Sequence, residues 1–315
     1  MKPTFHQDDM QTSVAAAFTL AGVGVHSGRY TKMTVRPAPA DTGILFHRTD
    51  VAGEEGHILA HASNAIETQL CTRIENRFGV GINMIEHVMA AFHGLGVDNA
   101  IVEIDSSEVP ILDGSSLQVV ERILQVGISR LHAERRYIEV LAPVSAQLEN
   151  GAWAQLSPAD QLTIDIDIDF VDPGIGQQRC QFDMTQDDFV TELSSARTFC
   201  MLKDVEKMRN AGLAKGGSMD NALVYDNGRI LNEGGLRMTN ECVRHKALDC
   251  MGDLYLLGMP VKAKLSSHMP GHRLSTILVR ALLEAPDCFR IVGGDEGLQV
   301  ASAASMPALA VAQSA

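Results

Sequence analysis

Apolar and polar positions alternate along Tyr30-Thr31-Lys32-Met33-Thr34-Val35-Arg36, and again along Ala100-Ile101-Val102-Glu103-Ile104. A two-residue period is that of a half-buried strand. Turn signals bracket both runs: Ala21-Gly22-Val23-Gly24-Val25 and a Pro-Ala-Pro-Ala break around the first, Asp98-Asn99 ahead of the second. Between them the period changes. From Asn83 to Leu95 the apolar residues Met84, Ile85, Val88, Phe92 and Leu95 fall within an arc of roughly 100° when each residue turns about 100°, which predicts a helix laying one face on a sheet. Pro110 to Ser116 reads as a turn closing on a helix N-cap at Ser115 or Ser116.

The charged stretch His132-Ala133-Glu134-Arg135-Arg136 then interrupts the pattern and predicts a boundary between two domains, residues 1–133 and 134–315. The second half repeats the order of the first. Strands are expected over Ile138 to Val144, Ala152 to Leu156 and Leu162 to Phe170, then a glycine-rich insertion around Gly212 to Asp220 and a long helix from about Asn240 to Leu257. Glu86-His87-Val88-Met89-Ala90-Ala91 lines up with Arg244-His245-Lys246-Ala247-Leu248-Asp249, which suggests an internal duplication with a histidine-bearing helix in each half.

Composition narrows the possible functions. With 45% apolar and 21% charged residues the 315-residue chain is globular, and a net charge of -13 disfavours nucleic acid as a partner. Six scattered cysteines without a C-x-x-C pair read as reduced thiols of a cytoplasmic protein. The weakly charged stretch Ser13 to His26 is too short to span a bilayer and follows Asp8 and Asp9, so neither a signal peptide nor a membrane helix is expected. The uncharged, small-residue tail Ala301 to Ala315 reads as a degradation signal for a cytosolic protease.

Candidate chemistry concentrates on the second long helix. His245 and Asp249, at i and i+4, share one face and present two ligands to one metal ion. A catalytic zinc needs a third, and His87 is the best candidate. Glu86 beside it is placed to act as a general base for a metal-bound water. Gly271-His272 reads as a loop whose imidazole could protonate a leaving group. Ser194-Ser195-Ala196-Arg197-Thr198-Phe199, read as ending a strand-like run, offers a hydroxyl for an oxyanion and an aromatic wall. Gly212 to Ser218 lacks Walker spacing, which excludes an NTPase.

The strings GVGVHSG (22–28), LCT (70–72), IEHVMAAFHGLGVDN (85–99), EVPILDGSS (108–116), SARTF (195–199), LNEGGLRMTNECVRHKALDCMGDLYLLG (231–258) and GH (271–272) closely resemble the UDP-3-O-acyl-N-acetylglucosamine deacetylase family. These are zinc amidases that commit the lipid A pathway in Gram-negative bacteria. The resemblance implies an α+β fold of two similar domains, each a mixed sheet packed with two helices, and an active site between them. It implies one zinc per chain on His87, His245 and Asp249, with Glu86 as general base and His272 as general acid. Thr198 would steady the oxyanion, Asp253 would orient His272, and Lys246 would contact the polar part of a UDP-linked acylated amino sugar. Leu70, Cys71 and Gly271 become substrate contacts. Phe199, Gly217, Ser218, Ala222 and Val224, in an insertion over about residues 199–226, would line a tunnel for the acyl chain. The loop His268-Met269-Pro270-Gly271-His272 departs from the lysine and serine that several relatives carry at the positions of Met269 and Pro270. Two other readings compete: a zinc deacetylase of another N-acyl sugar, and a zinc-containing interaction module without turnover.

Overall fold

The computed structural model describes residues 10–68 and 70–294, so the tail Ala301 to Ala315 lies outside the described residues. In the first half, strands Phe18–Val23, Tyr30–Pro37, Ala100–Ile104, Ile44–Arg48 and His57–Leu59 form, in that order, one five-stranded sheet. Ala100–Ile104 runs parallel to Ile44–Arg48 and antiparallel to Tyr30–Pro37. The sheet is therefore mixed. Its alternation has the expected cause: Met33, Val35, Val102 and Ile104 point into the core, while Lys32 and Arg36 stay exposed. Ala21 to Val23 belong to the first strand, and the turn begins only at Gly24.

Helix α1 (Glu86–Leu95) starts three residues later than its periodicity predicts. Gly81–Asn83 is a strand, and Met84 takes a left-handed φ of 64° that turns the chain into the helix. Gly96 closes the helix at φ 72°, with Val97 N–H donating to Phe92 O, a Gly-terminated C-cap. Helix α2 (Leu117–Val126) has Ser116 at its N-cap position, as expected. The Ser116 hydroxyl, however, donates to the His87 carbonyl at 2.8 Å rather than capping its own helix.

From Ile128–Glu134, which pairs with Met10–Val14, the chain passes to Tyr137–Val140 in a second sheet. That sheet has seven strands. The expected strand Ile138 to Val144 is two, Tyr137–Val140 and Val144–Gln147, and the long Val261–His268 carries parallel neighbours, Tyr137–Val140 and Thr163–Asp169, beside antiparallel Trp153–Pro158. Each half also holds a three-stranded sheet: Ala65–Ile66, Arg73–Glu75 and Gly81–Asn83 in the first, Phe199–Met201, Leu223–Asp226 and Arg229–Ile230 in the second.

The short α3 (Gln186–Asp188) runs into a π-helical turn, Phe189–Leu193, where a strand-like run was expected. Helix α4 (Leu202–Asn210) lies on the insertion, α5 (Glu241–Leu254) is the long second-half helix, and α6 (His272–Leu283) follows it. α1 buries far more than the one face its periodicity marks. Every residue of it except His93 is buried, because α5 crosses its other side. Glycine allows the close crossing, since a Cβ on Gly252 would stand 2.0 Å from Glu86 O; Gly94 likewise admits the Phe189 ring of the π-helical turn, which a Cβ there would meet at 2.2 Å. No helix among the described residues is long and apolar enough to cross a membrane, and all six cysteines are free.

Candidate active site

The crossing of α1 and α5 places one histidine from each helix over the same carboxylate. His87 Nε2 lies 3.6 Å and His245 Nε2 3.3 Å from Asp249 Oδ1, with ring centroids 5.0 Å apart at 83°. One ligand atom from each residue falls within 4.8 Å of the others, and all three are buried. His245 Nδ1 donates to Ala196 O at 3.0 Å, which leaves Nε2 as the free lone pair. Lys246 Nζ donates to Asp249 Oδ2 at 2.7 Å. Asp249 Oδ1 is buried without a hydrogen-bond partner. An orphaned anionic oxygen facing two imidazole nitrogens is costly unless a cation completes it, so the donor set fits a divalent metal of the zinc type. Burial pulls His245 down to about 3, so the ring is neutral and able to ligate. Burial pushes Asp249 up, but His245 and Lys246 outweigh it and hold the carboxyl well below the usual range.

Glu86 and His272 flank the group, with His272 Nε2 3.7 Å from Glu86 Oε1 and 3.9 Å from Asp249 Oδ2. His272 is not in a loop. It is the buried first residue of α6, after Gly271 in extended backbone at the N-cap, and its Nδ1 lies 3.2 Å from Asp253 Oδ2. Burial pulls the imidazole down, but the Asp253 and Glu86 carboxylates prevail and hold it up at about 9. Burial raises Glu86, and His272 and His87 oppose it only in part.

Thr72 carries no expectation from the sequence beyond its place in the LCT string. Its backbone N–H donates to Glu86 Oε2 at 2.9 Å, its hydroxyl donates to Asp253 Oδ1, and that hydroxyl lies 3.1 Å from His272 Nδ1. The adjacent Cys71 is buried and Leu70 exposed, which puts Leu70 at the rim and Thr72 inside. A hydroxyl residue closing a conspicuous string is the signal that could have found it.

The remaining candidates divide. Phe199 presents an edge to His245 at 6.3 Å between centroids, and Lys246 Nζ stands 5.6 Å over its ring. The Thr198 backbone is held by Gly114 O and Leu223 N–H, each at 2.8 Å. Ala222 and Val224 are buried beneath Asn232, which accepts from Val224 N–H and donates to Ala222 O. Gly217 and Ser218 lie in a turn whose neighbours dock onto the first half: Gly216 N–H donates to Val25 O at 3.0 Å and Lys215 N–H to His26 O at 3.3 Å. Buried Glu108 grips that first-half loop, accepting from His26 and Ser27 N–H at 2.7 and 2.8 Å. Met269 turns aside, its sulfur accepting from Asp169 N–H at 2.8 Å.

A buried His-His-Asp group with a carboxylate on one side and an imidazolium on the other is the equipment of a metal-dependent hydrolase. A sequence model of the family described as UDP-3-O-acyl N-acetylglycosamine deacetylase matches residues 11–284, and the chain belongs to that family. It is similar to the UDP-3-O-acyl-N-acetylglucosamine deacetylase of Phenylobacterium zucineum (strain HLK1), 47% identical over 281 residues that cover 89% of this chain and 96% of that protein. The protein of the same name from Brucella ovis is 44% identical over 283 residues, covering 90% of this chain and 98% of that one.

Proposed function

We propose that this chain hydrolyses the N-acetyl group of a UDP-linked, 3-O-acylated N-acetylglucosamine, releasing acetate and leaving the free amine, as the committed step of lipid A assembly in the cytoplasm. The observation that carries the reading is the orphaned Asp249 Oδ1 facing His87 and His245, with Glu86 and His272 beside it. Zinc held by these three residues would supply a Lewis acid that acidifies water and polarises the amide carbonyl. Glu86 Oε1, free of the Thr72 amide that occupies Oε2, takes the proton of the attacking water. Its raised basicity suits it to that task near neutral pH.

As the C–N bond breaks, the nitrogen leaves poorly as an anion and takes a proton from His272, which Asp253 keeps charged and oriented. The Thr198 hydroxyl steadies the oxyanion, a contribution of about 3 kcal/mol for one well-placed donor. Lys246 meets the polar part of the substrate. Phe199, Gly217, Ser218, Ala222 and Val224 receive the acyl chain, and Leu70, Cys71 and Gly271 complete the contacts. Measuring acetate release from acylated and unacylated UDP-N-acetylglucosamine, with and without zinc, tests the reading. Strong preference for the acylated sugar and abolition by chelation are expected, and equal rates on both sugars would overturn the substrate assignment.

A further inference from the structure

One buried ion pair beside the site takes no part in the mechanism above. Glu241, the first residue of α5, is fully buried, and Arg197 is nearly so. Each oxygen of the Glu241 carboxylate accepts two hydrogen bonds. Oε1 accepts from Arg197 N–H at 3.1 Å and Nε at 2.8 Å, while Oε2 accepts from Arg197 Nη2 at 3.1 Å and Arg237 N–H at 2.7 Å. Arg197 Nη2 also donates to Gly235 O at 2.8 Å. A buried ion pair is a poor source of stability, since an apolar pair of similar volume often does as well. Its fixed geometry is its more distinctive property.

That geometry bears on two neighbours of Arg197 in the chain. The Ala196 carbonyl accepts from His245 Nδ1, and Thr198 follows on the other side with its backbone held by Gly114 and Leu223. The fork of Arg197 thus anchors the middle of a three-residue segment to the same helix, α5, that carries His245 and Asp249. We infer that Arg197 and Glu241 are positioning residues for the reaction: they lock residues 196–198 to α5, so that the Ala196 carbonyl keeps His245 Nε2 turned to the metal and the Thr198 hydroxyl is presented in fixed register with it. The Thr198 half of this inference rests on the oxyanion role proposed above.

Arg197→Lys keeps the charge and loses the fork. It should lower kcat 10–100-fold with KM within about threefold, the range seen when an outer partner of a metal ligand is lost, and weaken metal retention against a chelator about tenfold. In a Thr198→Ala background the same substitution should lower kcat by a clearly smaller factor, because the share that acts through the hydroxyl is already gone, while the roughly tenfold loss of metal retention through His245 persists. Glu241→Gln, which keeps the side-chain volume, repeats every comparison should Arg197→Lys not fold. Wild-type metal retention, with the full loss of kcat persisting in the Thr198→Ala protein, would overturn the inference. If Thr198→Ala alone left kcat unchanged, the oxyanion role would fall while the chelator measurement still decided the effect on His245.

Discussion

Gly252 lies against the carbonyl oxygen of Glu86: a Cβ there would stand 2.0 Å from that oxygen and 3.0 Å from the Ala90 nitrogen. The contact falls one turn beyond Asp249 on α5 and beside His87 on α1, so helix spacing and metal geometry are set at one point. Gly252→Ala should therefore destabilise the fold by about 1–3 kcal/mol through overpacking and loosen the metal at the same time. Gly234, where an added Cβ would meet no atom within 4 Å, provides the control. Gly234→Ala should stay within about 0.5 kcal/mol. Thermal unfolding and chelator competition measure both effects, and a tightly metallated, fully stable Gly252→Ala protein would show that the helices can part without consequence.

Removal of any one ligand should empty the site, because two donors alone hold a catalytic metal poorly. His87→Ala, His245→Ala and Asp249→Ala are each expected to lose metal and activity together. The chelated wild-type protein should recover with added zinc. Full activity in a metal-free His245→Ala protein would sink the scheme.

In the proposed mechanism the working form has Glu86 ionised and His272 protonated. Since the Glu86 carboxyl is raised, the acidic limb of kcat/KM should lie above the ordinary carboxylate value of about 4.3. Since His272 is held at about 9, activity should fall as pH rises through about 9 and its proton is lost. His272→Ala should lower the rate, flatten the alkaline limb and retain the metal. An unchanged limb would assign the acid to another group.

Ala222 is buried in the segment proposed to receive the acyl chain. Ala222→Phe should reduce kcat/KM for the acylated substrate at least tenfold while leaving metal content and the slow hydrolysis of UDP-N-acetylglucosamine nearly unchanged, because remote binding energy is what orients the amide. Equal losses on both substrates would point to damage at the metal, and the tunnel assignment would fail.

The gathering of His87, His245 and Asp249 was legible in the sequence because helical periodicity alone puts His245 and Asp249 on one face, and the repeat of the histidine-bearing helix supplies His87. The alternating strands Tyr30–Pro37 and Ala100–Ile104 were legible for the same reason, since period and burial coincide there. What escaped was carried by the backbone or by the other half of the chain. The Ala196 carbonyl and the Thr72 amide leave no mark in residue type. The all-round burial of α1 depends on α5, some 150 residues away, and the left-handed Met84 that delays its start has no glycine to announce it. Expected in a loop, His272 is buried because α6 begins on it and packs it against Asp253.

Thr72 serves Glu86 through its amide and the His272–Asp253 pair through its hydroxyl. The proposed proton acceptor and proton donor are thus tethered to a single residue, the one just before the short strand Arg73–Glu75. Neither can be retuned alone by moving that strand: a shift that weakens the amide bond raises Glu86 further, and the same shift withdraws a partner from the pair that keeps His272 charged. Asp253 offers no independent handle either, because its charge raises Glu86 as well as His272. Adaptation of this enzyme to acid or alkaline surroundings would then move both edges of its pH profile together.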